Sequence, residues 1–536
     1  MINEENLKKI FPRDLKEIPS KHLPPSIIQK KYLTNGQLIE SKSSNNFQVF
    51  SPIFINDQKV LLGEHPMLSE HEVLGVLENA KNAWKKGCSE WATTTTNERI
   101  KCVETFVKEM QKQKEIVVRT LMWEICKSYP DAEKEFDRTI IYIKDTIQAL
   151  KDLDRISSRF VIEQNIIGQI RRSPLGIVLC MGPFNYPLNE TFTTLIPALI
   201  MGNVVIFKPA KFGVLLWNPL LEAFAKSFPP GVINVVYGDG GEVIAPLMKS
   251  GFIDVLAFIG SGRVADILKK QHPFPHRLRS ILGLEAKNTA IVLDDADLQL
   301  TIDELLLGTL SYNGQRCTAV KIIFLQKNIA KKFIPQFQDK VSQMKIAMPW
   351  EDGAKITPLP EDGKCQYLKS LVEDACNKGA DLLFGGKSFN SIFMPTIVSN
   401  INSGTRLWKE EQFGPIIPIV IFDEIETPIN YIIESSYGQQ ASIFSSDQLM
   451  ISKLIDNLVN QVSRVNINSQ CQRSPDSFPF TGRKDSAEGT LSVSDALRVF
   501  SIRTLVAAKE NTINKEILSN ITYNHQSKFL NTDFIF

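Results

Sequence analysis

From Ile177 onward the chain alternates short apolar, β-branched runs with helical runs, and no other feature constrains its fold as strongly. The runs are Ile177 to Met181, Thr191 to Ile200, Val204 to Phe207, Val214 to Phe224, Val232 to Tyr237, Val243 to Met248 and Val255 to Ile259. Strand and helix repeated at this spacing predict a parallel sheet with helices on both faces, because each parallel crossover needs a connection of helix length. A second series begins after Ala286: Thr289 to Leu293, a helix over Leu298 to Leu310, a strand over Val320 to Leu325 and a helix over Ala330 to Met344. At 536 residues the chain is too long for one core. The expected class is α/β, with two parallel-sheet domains.

Such sheets bind ligands at the carboxyl ends of their strands, and the glycines lie there. Gly238-Asp239-Gly240-Gly241 closes one predicted strand. Gly260-Ser261-Gly262-Arg263-Val264-Ala265 closes the next and opens a helix, matching a G-x-G-x-x-A dinucleotide pattern. Backbone amides and a helix N-terminus at Gly240, Gly260 and Ser261 could receive a pyrophosphate, although a tight turn without ligand has the same spelling. Glu285 follows Ala265 at the distance where a dinucleotide fold often keeps the acid that binds ribose.

Between the helix ending at Leu310 and the strand starting at Val320 lies Asn313-Gly314-Gln315-Arg316-Cys317-Thr318. A cysteine in a polar turn is presented as a nucleophile, and attack at neutral pH needs a setting that favours the thiolate. Arg316 is expected to supply that positive charge. A small hydrophobe at a helix–strand junction is the competing reading.

Lys+Arg 61 against Asp+Glu 59 gives a net charge of +2, which calls for neither nucleic acid nor an anionic membrane. Eight scattered cysteines without a CxxC pair or a histidine cluster argue against a metal site and a disulfide framework. The polar, acidic start and the lack of a long uninterrupted apolar stretch point to a cytoplasmic protein without a transmembrane segment. Residues 1–45 read as a loosely ordered arm and 510–536 as a polar tail. Helical patterns follow from Ser69, from Glu98 and over Ala132 to Leu150, the last carrying Arg138. Extended segments are expected at Phe160 to Ile170 and Leu497 to Val506.

Pro183-Phe184-Asn185-Tyr186-Pro187, Lys208-Pro209-Ala210, Gly260-Ser261, Gly314-Gln315-Arg316-Cys317 and Glu411-Gln412-Phe413-Gly414-Pro415 occur in that order. In these motifs the chain resembles the aldehyde dehydrogenase superfamily over roughly residues 45–509. Ser469-Gln470-Cys471-Gln472-Arg473 with Phe478-Pro479-Phe480 looks like its NADP-dependent, non-phosphorylating glyceraldehyde-3-phosphate dehydrogenase branch.

The resemblance implies a dinucleotide-binding domain over 46–150 and 174–285 and a catalytic domain over 286–483. It also implies an oligomerisation segment over 151–173 and 484–509, and hence a homodimer or homotetramer. Cys317 would attack an aldehyde, with the oxyanion held by the Asn185 amide and the Cys317 backbone N–H. Glu411 and Phe413 match the residues that hold the nicotinamide ribose and ring, and Lys208 the lysine that reaches the adenosine ribose. Lys211 stands where NAD-preferring members tend to have a glutamate, which favours NADP, with NAD possible. Arg138, Tyr186, Arg316 and Arg473 match the set that holds a small phosphorylated aldehyde. One departure stands out: the family's deacylating glutamate falls on Gly283 of Gly283-Leu284-Glu285-Ala286-Lys287, with Glu285 two residues on. On an extended segment that shift, about 7 Å, keeps the same face, so Glu285 is the expected base. A ribose contact, acyl transfer to CoA, and a catalytically silent relative are the alternatives.

Overall fold

A computed structural model describes residues 4–43 and 45–533. Two large sheets carry the chain. In the first, five parallel strands run in the spatial order Arg279–Gly283, Val255–Ile259, Ile177–Met181, Val204–Lys208, Ile233–Val235. Their inner members are buried along almost their whole length, which is why they read as continuous apolar runs rather than alternating ones. The chain order reverses between Ile177–Met181 and Val255–Ile259, and helices cover both faces. Such a reversal opens a crevice at the carboxyl ends of the two strands.

The second sheet has seven strands, six of them parallel: Thr396–Ser399, Ile416–Phe422, Ile322–Gln326, Thr289–Val292, Gln440–Phe444 and Arg464–Ile467. The helix Leu298–Leu310 has the bounds its pattern predicts. A third sheet joins Ser501–Lys509 to Ile166–Pro174 in antiparallel register from Ser501↔Pro174 to Lys509↔Ile166, with Phe160–Glu163 beyond. The two segments expected for oligomerisation therefore meet. The predicted extended run from Leu497 begins instead as the helix Val493–Val499, and residues 151–157 belong to the long helix Tyr129–Ser157.

The ends of the chain correct the sequence reading. Residues 31–40, expected to be loosely ordered, form the hairpin Lys31–Thr34 and Gln37–Glu40, which extends the first sheet. Its turn is Asn35-Gly36, both at positive φ (49° and 71°), the geometry that a tight hairpin requires. Leu7, Phe11, Ile18 and Leu33 are buried in the main core. The C-terminal stretch, expected to be a tail, holds the helix Thr512–Tyr523, and Asn531 accepts hydrogen bonds from Gln169 Nε2 and Arg171 Nη1, both at 2.9 Å. Among the described residues, no helix is long and apolar enough to cross a membrane.

Candidate active site

The loops at the carboxyl edge of the first sheet face those at the amino edge of the second across a cleft of about 710 Å³. Gly182 to Asn185, Lys211, Gly260-Ser261 and Glu285 come from the first sheet, and Cys317, Glu411, Phe413 and Gln439 from the second. A smaller cavity of about 150 Å³, lined by Lys208, Lys211, Tyr237 and Gly240, continues past Lys211. On the other side of Cys317 lies a third cavity of about 360 Å³, lined by Arg138, Tyr186, Arg316 and Arg473. Cys317 and Glu190 line both the large cleft and this arginine cavity.

A strained turn projects the cysteine. Tyr312, Asn313 and Gly314 have φ of 49°, 57° and 69°, a left-handed run that costs about 1–3 kcal/mol for each non-glycine residue and needs outside support. Tyr312 Oη donates to Ile125 O (3.0 Å), Asn313 Oδ1 accepts from Thr357 N (2.9 Å), and Lys321 Nζ donates to Gly314 O (2.9 Å). A Cβ at Gly314 would lie 2.7 Å from both Gly414 O and Thr309 O, so only glycine fits.

Asn185 leaves the carboxyl end of Ile177–Met181 and reaches across the cleft, where its Nδ2 donates to Gln315 O at 2.8 Å. Its own carbonyl accepts from the buried Lys127 Nζ (2.9 Å), which pairs with the equally buried Glu135 and lies 3.4 Å from the Tyr186 ring centroid. Glu135 Oε1 accepts from Leu188 N and Asn189 N, each at 3.1 Å. This ion pair fixes the loop that presents Asn185 and Tyr186. On the other wall, Lys321 Nζ lies 3.5 Å from Glu411 Oε1 and 4.6 Å from the Phe413 ring, while Lys287 Nζ donates to Glu410 O (2.6 Å) and Gln412 Oε1 (2.8 Å). These lysines hold Phe413 in a left-handed conformation (φ 42°), with its ring 5.8 Å from that of Phe184.

The electrostatics correct one expectation. The cations that act most on the Cys317 thiol are Arg473 and Lys321, whereas the Arg316 Nη2 donates to Leu307 O and Gly308 O (3.1 Å each) and to Gln470 Oε1 (3.3 Å). Burial pushes the Cys317 thiol up to about 12, the Glu190 carboxylate adds to the rise, and Arg473 and Lys321 oppose it. Burial likewise brings Lys321 and Lys208 down to about 8, and it raises Glu411 above the usual carboxylate range.

The aldehyde dehydrogenase family model matches residues 38–505. The chain belongs to the aldehyde dehydrogenase family. An NADP-dependent glyceraldehyde-3-phosphate dehydrogenase of Streptococcus equinus is 32% identical over 489 residues, covering 90% of this chain and 98% of the relative. One of Pisum sativum is 29% identical, over 89% of this chain and 95% of the relative. The structure of the Bacillus halodurans C-125 enzyme of the same name, complexed with NADP, superposes with a TM-score of 0.84 at 32% identity, covering 90% of this chain and 99% of that one.

Within this aldehyde dehydrogenase scaffold, the residues singled out in the sequence all line one of the three connected spaces. Lys211 reaches two of them and has no carboxylate partner among the described residues; its Nζ lies 5.5 Å from the Phe212 ring. The arginines are different. Arg138 is paired with Asp476 (Nη2–Oδ1 2.8 Å), and the buried Arg473 with Asp476 (3.0 Å) and with Glu190. Sequence reasoning missed these two carboxylates, as well as the Lys127–Glu135 pair. Glu285 lines the cleft, and its Oε2 accepts the Gly262 amide at 2.8 Å at the start of the helix Gly262–Gln271.

Proposed function

We propose that the chain oxidises a small phosphorylated aldehyde, glyceraldehyde 3-phosphate, to 3-phosphoglycerate with NADP as cofactor. The observation that carries this reading is the position of Cys317 on a wall shared by two spaces with opposite furnishings. One is a long cleft ending in the lysines 208 and 211. The other holds three arginines beside Tyr186.

The cleft fits a dinucleotide. Phe413 and Glu411 would hold the nicotinamide end, Gly260 and Ser261 the pyrophosphate, and Lys208, Lys211 and Gly240 the adenosine end. Lys211, free of any carboxylate among the described residues, suits a 2′-phosphate. When bound, NADP supplies the hydride acceptor. The Cys317 sulfur attacks the aldehyde carbon, and the developing oxyanion takes hydrogen bonds from Asn185 Nδ2 and the Cys317 amide, for which no acceptor exists among the described residues. Oxidation of this thiohemiacetal leaves a thioester on Cys317, and water then releases the acid. Arg138, Arg316, Arg473 and Tyr186 hold the substrate phosphate, competing with Asp476 and Glu190 for the guanidinium groups.

The free state of all eight cysteines supports a reducing, cytoplasmic setting. The exposed Val161, Ile162, Ile502 and Leu505 of the third sheet support assembly as a homodimer or homotetramer.

NADPH formation from glyceraldehyde 3-phosphate, followed with and without CoA and inorganic phosphate, tests the reading. Turnover should require neither addition, and Cys317→Ser should abolish it while NADP still binds by calorimetry. Turnover only with CoA would replace hydrolysis by acyl transfer, and an active Cys317→Ser protein would remove the nucleophile.

A further inference from the structure

Five carboxylates line the cleft that contains Cys317: Glu190, Glu285, Glu361, Glu410 and Glu411. Four of them have their partners outside the arginine cavity. Glu410 is paired with Arg406, Glu361 with Lys364, Glu411 with Lys321, and Glu285 with the Gly262 amide. Glu190 alone lines the arginine cavity as well, so it stands where the aldehyde carbon must lie if the sulfur is in the cleft and the phosphate among the arginines. It sits five residues after Asn185, in the first turn of the helix Asn189–Ile200, almost fully buried. Its Oε2 takes the Arg473 guanidinium, and its Oε1 has no donor among the described residues. Of the side chains that act on the Cys317 thiol, Glu190 acts most strongly.

We propose that Glu190 is the general base that activates water against the Cys317 thioester, the role expected of Glu285. The inference deepens the reading above and rests on Cys317 being the nucleophile. Glu190 Oε1 accepts a proton from the water as its oxygen bonds to the acyl carbon. The tetrahedral adduct then collapses, its C–S bond breaks, Cys317 leaves as thiolate and the carboxylic acid departs. No electrons are exchanged in this step. Arg473 engages Oε2, which leaves Oε1 as the oxygen that takes the proton.

Rapid mixing of the full chain with saturating NADP and glyceraldehyde 3-phosphate separates the candidates. Glu190→Gln should give a burst of one NADPH per active site followed by a steady rate slower by about 10²–10⁴-fold, since general-base assistance is of that size. Hydroxylamine, which attacks thioesters without a base, should restore its turnover. Glu285→Gln should show no burst. A burst in Glu285→Gln and none in Glu190→Gln would overturn the assignment. So would a burst in the unmutated chain that CoA abolishes. If Glu190→Gln does not fold, Glu190→Asp carries the test: a slowed steady phase behind a full burst supports the base, and an unslowed one removes it. An unmutated chain that forms no NADPH from this aldehyde would instead refute the reading on which the inference rests.

Discussion

The two spaces that meet at Cys317 treat their cations in opposite ways. In the cofactor cleft, the exposed Lys211 has no carboxylate partner among the described residues, and its Nζ lies 5.5 Å from the Phe212 ring. In the arginine cavity, Arg138 and Arg473 are already neutralised by Asp476 and Glu190, with Arg473 almost wholly withdrawn from solvent. An unpaired guanidinium could not be buried so deeply without a large desolvation cost, so its carboxylates are the condition for keeping it there. A phosphate entering this cavity exchanges one set of charge-assisted bonds for another, whereas one arriving at Lys211 adds bonds that did not exist. The second site should therefore respond to a single charge change almost independently of its surroundings, and the first as a network.

The largest effect belongs to the sulfur at the junction. With its thiol pushed up to about 12 by burial, Cys317 in the free protein has a thiolate fraction that rises about tenfold per pH unit and stays on that slope. Alkylation by iodoacetamide, read at Cys317 by mass spectrometry so that the exposed Cys88 and Cys376 do not contribute, should accelerate by about 10³-fold between about pH 7 and about pH 10. A plateau below about pH 9 would mean that Arg473 and Lys321 outweigh burial and that the resting enzyme carries a thiolate.

Arg473→Ala probes the networked side. It removes one phosphate ligand and leaves Glu190 and Asp476 facing a substrate of their own sign, so kcat/KM for glyceraldehyde 3-phosphate should fall by about 10²-fold or more. Unphosphorylated glyceraldehyde, which carries no charge to be repelled, should lose far less. Equal losses for the two aldehydes would place the phosphate away from this cavity.

How much of this was legible in the sequence follows from the range of the interactions involved. Strands such as Ile177–Met181 and Thr289–Val292 could be read because each is buried along its whole length, and the buried run shows as an unbroken apolar string. The hairpin at Asn35-Gly36 was equally readable from its turn, yet a compositional judgement of the first 45 residues hid it. The charge pairs were not readable. Arg138 meets Asp476 across 338 positions and Arg473 meets Glu190 across 283, and no local pattern announces a partner that far away. The same holds for Glu285: no local pattern announces that the amide of Gly262, 23 positions earlier, meets its carboxylate. Motifs thus located the cavity walls, and only the fold revealed which of their charges are already spent.

Lys211→Glu should have the smallest of these effects and be the easiest to interpret. A lysine without a carboxylate partner contributes to NADP binding only through the anion it meets, so reversing its sign acts on the 2′-phosphate and on little else. One charge-assisted contact is worth about 1.5–3 kcal/mol, and the ratio of kcat/KM for NADP to that for NAD should fall by at least about tenfold. Because the lysine stands beside open solvent, that preference should also shrink as salt rises, which a buried contact would resist. An unchanged ratio would transfer the selectivity to Lys208, whose ammonium group burial brings down to about 8. In that case the preference for NADP should decline as the pH rises through about 8 and Lys208 loses its charge, a dependence that Lys211 alone would not produce.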